Sequence, residues 1–238
     1  MAPRRIALLP AAGGGRRFGG GLPKQYADLG GRPIIARTLD RLRSALELDG
    51  IVVALAPDDD AFHAVVGAPR GVEAVRCGGA TRAETVANAM ATLADRCADG
   101  DWILVHDAAR PCVPADALRR LAVELADDAV GGLLAIPVAD TLKREDPLAP
   151  ARVLRTEERA GLWLAQTPQM FRYGILRMAL LRAGGLRVTD EAAAVEALAA
   201  TGACTTPRLV AGSALNIKIT FPSDLALAAA IIALQEQP

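Results

Sequence analysis

The feature that most constrains this chain is a repeated succession of short apolar runs, loops marked by glycine or proline, and stretches with helical spacing. Arg5–Pro10, Ile51–Ala56, Val72–Arg76, Trp102–Val105 and Gly132–Val138 read as strands. Ile34–Leu46, Asp58–Val66, Thr81–Ala94 and Ala115–Leu125 read as the helices between them. Strands and helices in this order imply a parallel sheet with helices packed on both faces. The predicted fold class is therefore α/β, with a Rossmann-like, mostly parallel sheet. Local signals agree. Thr81 and Glu84 make a capping box, Asp58 is a candidate N-cap for its short helix, and Ser223 for a closing helix over Ser223–Leu234.

The succession breaks after Pro137. Asp140–Arg144 and Arg152–Glu157 read as two charged, extended segments around a turn at Asp146–Pro150. They predict a projecting β-arm over 138–160 rather than another strand–helix unit. Such an excursion serves a partner subunit, which gives a homodimer, or is a surface loop; the dimer is the expectation. Leu162–Gln166 then resumes a strand. Helices follow near Gly174–Ala183 and Asp190–Ala200, with a last strand at Thr206–Val210. No repeat or low-complexity linker divides the chain, so 1–238 is read as a single domain.

Composition narrows the function classes. Hydrophobic residues make up 52 % and aromatics 3 %, so the core must be Ala, Val, Leu and Ile. The 27 cations balance 27 acids, which leaves no global field for nucleic acid. The apolar stretch Ile6–Ala12 is too short for a signal-peptide core. The run Leu225–Leu234 is too short for a bilayer span. Four cysteines without a CxxC pair and only two histidines make a zinc site an unsuitable reading and point to a cytoplasmic protein with reduced thiols. Of the cations 24 are Arg and three are Lys: Lys24, Lys143 and Lys218. In such a chain a lysine can mark a position that needs a compact ammonium, or it can be chance.

Three loops stand out at the ends of strands. Pro10-Ala-Ala-Gly-Gly-Gly-Arg-Arg-Phe18 followed by Pro23-Lys-Gln-Tyr26 joins glycines, which let backbone N–H groups approach phosphate, to the cations Arg16, Arg17 and Lys24. Phe18 and Pro23 deny it the G-x-G-x-x-G fingerprint of dinucleotide folds, and Walker A is absent. Val105-His-Asp-Ala-Ala-Arg-Pro111 lies where open α/β sheets place ligands. There Asp107 can ligate Mg²⁺ and Arg110 can reach a phosphate, or the two form a local ion pair. His106 reads as structural. Gly78-Gly-Ala-Thr-Arg-Ala-Glu-Thr85 also opens a helix and can take an anion or a base edge, with Gly79, Arg82 and Thr85 available for a ligand. Lys218, in the strand-like stretch Asn216-Ile-Lys218, either snorkels or meets an anion. Thr189-Asp190-Glu191 reads as a helix N-terminus.

Together these motifs resemble the 2-C-methyl-D-erythritol 4-phosphate cytidylyltransferases of the non-mevalonate isoprenoid pathway. The resemblance rests on PAAGGGRRF, PKQY, GGATRAETV, VHDAARP, PVADTLKR, RAGLW, TPQMF, TDEAAAVE and NIKIT, in order, nearly end to end. It implies the nucleotide-diphospho-sugar transferase type of fold and transfer of a cytidylyl group from CTP to the polyol phosphate, with Mg²⁺. It further implies that Ala11, Ala12, Gly13, Gly79, Arg82, Thr85 and Asp107 bind CTP, with Arg17 and Lys24 catalytic and Asp107 serving the metal. Arg110, Thr189 and Lys218 would hold the polyol phosphate, and Thr141 and Arg159 on the arm would reach the partner's site. Thr85 keeps the hydroxyl where many relatives have Ser, and Ala80 replaces a frequent acidic residue. The alternatives are a cytidylyltransferase for another alditol phosphate such as ribitol 5-phosphate, a non-catalytic nucleotide-binding module, and a nicotinamide-dependent oxidoreductase.

Overall fold

A computed structural model describes residues 2–14, 18, 23–183 and 188–237. The strands are β1 (Arg5–Ala11), β2 (Gly50–Leu55), β3 (Val72–Val75), β4 (Trp102–Val105), β5 (Gly131–Pro137), β6 (Leu142–Asp146), β7 (Ala149–Glu157), β8 (Trp163–Arg172) and β9 (Arg208–Ala211). The helices are α1 (Ile34–Ala45), α2 (Ala61–Val66), α3 (Arg82–Ala91), α4 (Ala115–Glu124), α5 (Tyr173–Arg182), α6 (Glu191–Ala199) and α7 (Asp224–Gln235). The main sheet has the order β3-β2-β1-β4-β8-β5-β9, with β8 antiparallel to both neighbours and every other pairing parallel.

Side-chain alternation along the strands sorts the core into two layers. Leu9, Val53, Leu104 and Met170 face α1, α2 and α4, packing with Leu39, Phe62 and Leu121. Leu8, Val52, Ile103 and Phe171 face α3, α5 and α6, packing with Val86, Leu176 and Val195. A third cluster seats α7, through Ala228 and Ile231, against Ile34, Ala109 and Ile219. The predicted mostly parallel sheet with helices on both faces is thus observed. Among the described residues no helix is long and apolar enough to cross a membrane.

Four local expectations are corrected. The strand expected at Leu162–Gln166 extends to Arg172 and is wedged antiparallel between β4 and β5. Pro168, which would interrupt a regular ladder, falls where the β5 register shifts between Leu133 and Ala135, so its missing N–H removes no regular pairing there. Asp58 does not cap α2. Asp60 holds the N-cap position without a side-chain bond, and Asp59 Oδ1 accepts from the N–H groups of Ala61 and Phe62 at 3.0 Å. Ser223 occupies the N-cap position of α7 without a side-chain bond, and Asp224 instead accepts from the N–H of Thr220 and Phe221. Lys218 lies in irregular backbone rather than a strand.

The hairpin is present as β6 and β7, which among the described residues pair with each other alone. It exposes Leu148, Val153 and Leu154, and the start of β8 with the residue before it exposes Leu162, Trp163 and Leu164.

Candidate active site

The carboxyl ends of β1 and β4 lie side by side, and the loops that leave them build a cleft of about 660 Å³. Open α/β sheets place ligand crevices outside the carboxyl ends of their strands in this way. The loop after β3 closes one wall. It approaches so tightly that a Cβ added to Gly78 would stand 2.4 Å from Ala12 Cβ. Glycine at position 78 is what lets the two glycine-bearing loops share the cleft.

The floor is Asp107, on the loop after β4 and 7 % exposed. Its Oδ1 accepts from Arg82 Nε at 3.1 Å, and its Oδ2 from Lys218 Nζ at 2.8 Å, with Arg110 Nε at 3.5 Å. Burial pushes the Asp107 carboxyl up. The charges of Arg82, Lys218 and Arg110 outweigh that and hold it well below the usual carboxylate range. Its backbone N–H donates to Thr167 Oγ1 at 3.0 Å. Thr167 Oγ1 also meets His106 Nδ1 at 3.0 Å, and His106 Nε2 lies 3.2 Å from Arg110 O. Burial pushes the His106 imidazolium pKa down to about 4. His106 is therefore neutral near pH 7 and structural, as its sequence context suggests.

Lysine 218 is placed by its neighbours. Asn216 Nδ2 donates to Thr167 O at 2.9 Å and to Gln166 Oε1 at 3.1 Å, and its carbonyl accepts from Arg110 Nη1 at 2.6 Å. Ile219 N–H donates to Ala109 O, which ties the segment to the β4 loop. Lys24, on a short 3₁₀ turn over Lys24–Tyr26, donates from Nζ to Ile219 O at 2.9 Å. That turn is anchored separately, by Gln25 Nε2 on Ala11 O at 2.8 Å and by Tyr26 OH on Asp59 Oδ2 at 2.5 Å.

The structure thus gathers Ala11, Ala12, Gly13, Lys24, Gly79, Arg82, Thr85, Asp107 and Lys218 around one cleft. Thr85 is buried, and its hydroxyl is already engaged. It accepts from Gly79 N–H at 3.1 Å and donates to Thr81 O at 3.0 Å, so it shapes the loop. The Thr81–Glu84 capping box forms in half. Thr81 Oγ1 accepts from Glu84 N–H, while Glu84 Oε2 takes the N–H of Ala80 instead. Arg110 stands behind Asp107 rather than on the lining. Thr189 is exposed just ahead of α6. Thr141 and Arg159 are exposed on the arm, Arg159 donating to Ala139 O, and neither lines this cleft. Arg17 and Arg16 lie outside the described residues.

One residue central to the site had no functional signal in the sequence. Glu191, 1 % exposed, accepts from Arg82 Nη1 at 2.7 Å and from Nη2 at 3.0 Å. An acidic residue in a first helical turn is ordinary, and nothing in TDEAAAVE tells that Arg82, in a distant motif, is its partner. The donors also bear on a metal. Among the described residues no group of three or more His, Cys, Asp or Glu could hold an ion. Asp107 is the one carboxylate among the described residues lining the cleft, its oxygens engaged by Arg82 and Lys218, whereas Mg²⁺ takes one or two carboxylates and completes its octahedron with phosphate oxygens and water.

The sequence matches the family described as 2-C-methyl-D-erythritol 4-phosphate cytidylyltransferase (IspD) over residues 5–234. It is 53% identical to the 2-C-methyl-D-erythritol 4-phosphate cytidylyltransferase of Dechloromonas aromatica (strain RCB), across 97% of this chain and 98% of that one. The enzyme of the same description from Laribacter hongkongensis (strain HLHK9) is 54% identical, across 97% of each. A crystal structure of a 4-diphosphocytidyl-2C-methyl-D-erythritol synthase shares the fold with a TM-score of 0.84 at 40% identity, across 98% of this chain and 99% of that one.

Proposed function

This chain belongs to the 2-C-methyl-D-erythritol 4-phosphate cytidylyltransferase family, and on that footing we propose that the cleft over Asp107 is where CTP and the polyol phosphate meet. The reaction forms a bond between a phosphate oxygen of 2-C-methyl-D-erythritol 4-phosphate and the α-phosphorus of CTP. The bond from that phosphorus to the β-phosphate oxygen breaks, and its electron pair leaves with pyrophosphate. Ribitol 5-phosphate and a non-catalytic module are not favoured, since relatives near half identity carry the methylerythritol description.

The observation that carries the residue assignments is the set of four cations, Lys24, Arg82, Arg110 and Lys218, converging on one buried carboxylate and a neighbouring carbonyl. A phosphate monoester has a second pKa of about 6, so the nucleophile is largely dianionic near pH 7 and needs no general base. What it needs is positioning and neutralisation of the charge that grows on the phosphates. Ala11, Ala12 and Gly13 offer backbone to the triphosphate, Gly79 and Arg82 the nucleotide's far side, and Lys24 the compact charge. Arg17 joins Lys24 as a catalytic cation in this reading. Lys218, Arg110 and Thr189 take the polyol phosphate. Asp107 would hold Mg²⁺ together with the phosphates, and the ion would there neutralise phosphate charge.

The same reading makes the enzyme a cytoplasmic homodimer whose arm completes the partner's site. The exposed apolar residues on the arm support the dimer, and four unbridged cysteines fit a reducing compartment. Thr141 and Arg159 then meet the polyol phosphate across the interface. Arg159→Ala raises KM for the polyol phosphate more than KM for CTP. Mixed dimers provide the decisive test. Lys24→Ala and Arg159→Ala subunits, each poorly active alone, regain activity when exchanged into one dimer, because one of its two sites then holds both native residues. No recovery on exchange would mean that each arm serves its own subunit or no site.

A further inference from the structure

We propose that Glu191, on the first turn of α6, is a positioning residue that locks Arg82 in place and so couples the polyol side of the cleft to Asp107. The inference rests on the substrate reading above. Its geometry is a fork held at both ends. Arg82 spends Nη1 and Nη2 on the two oxygens of Glu191 and Nε on Asp107 Oδ1. Of its five N–H donors, two remain for a ligand at the cleft it lines. Arg82 opens α3 and Glu191 opens α6, so the fork joins the N-terminal turns of two helices from distant parts of the chain.

The far end of the fork is itself fixed. Gln169 on β8 donates from Nε2 to Asp190 Oδ2 at 2.9 Å and accepts at Oε1 from Ala192 N–H at 2.8 Å. Asp190 Oδ1 caps the helix through Ala193 N–H. Glu191 is thus clamped by its neighbours on either side. Seating α6 does not require it. Ala192, Val195 and Leu198 already bury that helix on the sheet. A buried carboxylate in such a place is a poor device for stability, since well-packed apolar residues usually serve as well or better. It is an effective one for direction, because a bidentate fork fixes the plane of a guanidinium that would otherwise sample many rotamers. Thr189 stands just ahead of the first turn of α6, two residues before Glu191. Movement of that turn on binding the polyol phosphate is transmitted through Glu191 to Arg82, and so to Asp107.

The test uses the full-length enzyme and a thermodynamic cycle. Glu191→Gln is isosteric but sets an amide N–H₂ against one arm of the guanidinium. In the native background it lowers kcat/KM for CTP by roughly 10²-fold, as a misdirected binding group does. In an Arg82→Ala background the same change has no more than about a twofold effect, because its target is gone. Equal effects in both backgrounds would show that Glu191 merely seats α6, and an unaltered Glu191→Gln enzyme would show that it does nothing; either overturns the proposal. The native protein supplies a check that needs no variant. Without ligands, the Nη resonances of Arg82 are resolved and slowly exchanging in ¹⁵N spectra. A single averaged signal would refute the lock even if Glu191→Gln does not fold. Failure of the substrate reading is distinct, since native enzyme would then release no pyrophosphate from CTP and the polyol phosphate.

Discussion

Replacing Lys24 by alanine lowers turnover by at least about 10²–10³-fold while the protein stays folded. The size follows from removing one preorganised charge aimed at a developing anion. The retention of fold follows from the local anchoring. Lys24 loses its bond to Ile219 O among its interactions, whereas its turn is held independently by Gln25 on Ala11 and Tyr26 on Asp59. Arginine at this position does not restore the rate, because a planar fork cannot take the place of a compact ammonium. Pyrophosphate release at saturating CTP and polyol phosphate measures the loss, and a thermal melt confirms the fold. Near-native turnover would remove Lys24 from the chemistry.

Asp107→Asn has the second large effect, and it falls on stability as well as rate. The side chain is almost fully buried, and Arg82, Lys218 and Arg110 share its charge within 3.5 Å. Neutralising it leaves three cations facing one another. Removing one partner of a buried pair costs about 3–5 kcal/mol; because Arg82 and Lys218 are partly solvated, the lower figure applies, about 3 kcal/mol. For a chain of this size that is a fall in Tm of roughly 6–12 °C. CTP with Mg²⁺ then raises the Tm of the variant less than that of the native enzyme, since the carboxylate that would hold the ion with the phosphates is gone. Calorimetry with and without CTP measures both. An unchanged Tm, or an equal CTP response in the two proteins, would mean that Asp107 is not the organising charge.

The gathering of Gly13, Lys24 and Asp107 around one cleft was legible because each signal is local. A glycine loop, a lysine a dozen residues on and Asp107 at a strand end are read one motif at a time. The succession of strands and helices likewise determined the layers, since burial on both faces leaves continuous apolar runs. What was hidden depends on contacts distant in sequence. Glu191 looks like any acidic first-turn residue until Arg82 is placed against it. Gln169, in the motif TPQMF, turns out to clamp α6. The antiparallel course of β8 was masked by Pro168, whose place at a register shift no pattern of hydrophobicity reveals. Lys218 was noticed for its charge but assigned to a strand, because Ile217 and Ile219 flank it. Its backbone is instead held by hydrogen bonds from Asn216 and Ile219.

The most direct test offers the purified enzyme CTP with 2-C-methyl-D-erythritol 4-phosphate or ribitol 5-phosphate, in the presence of Mg²⁺, and follows pyrophosphate. Rapid release that requires both CTP and the methylerythritol phosphate is the predicted result, whereas equal or faster release with ribitol 5-phosphate, or none with either, would contradict it.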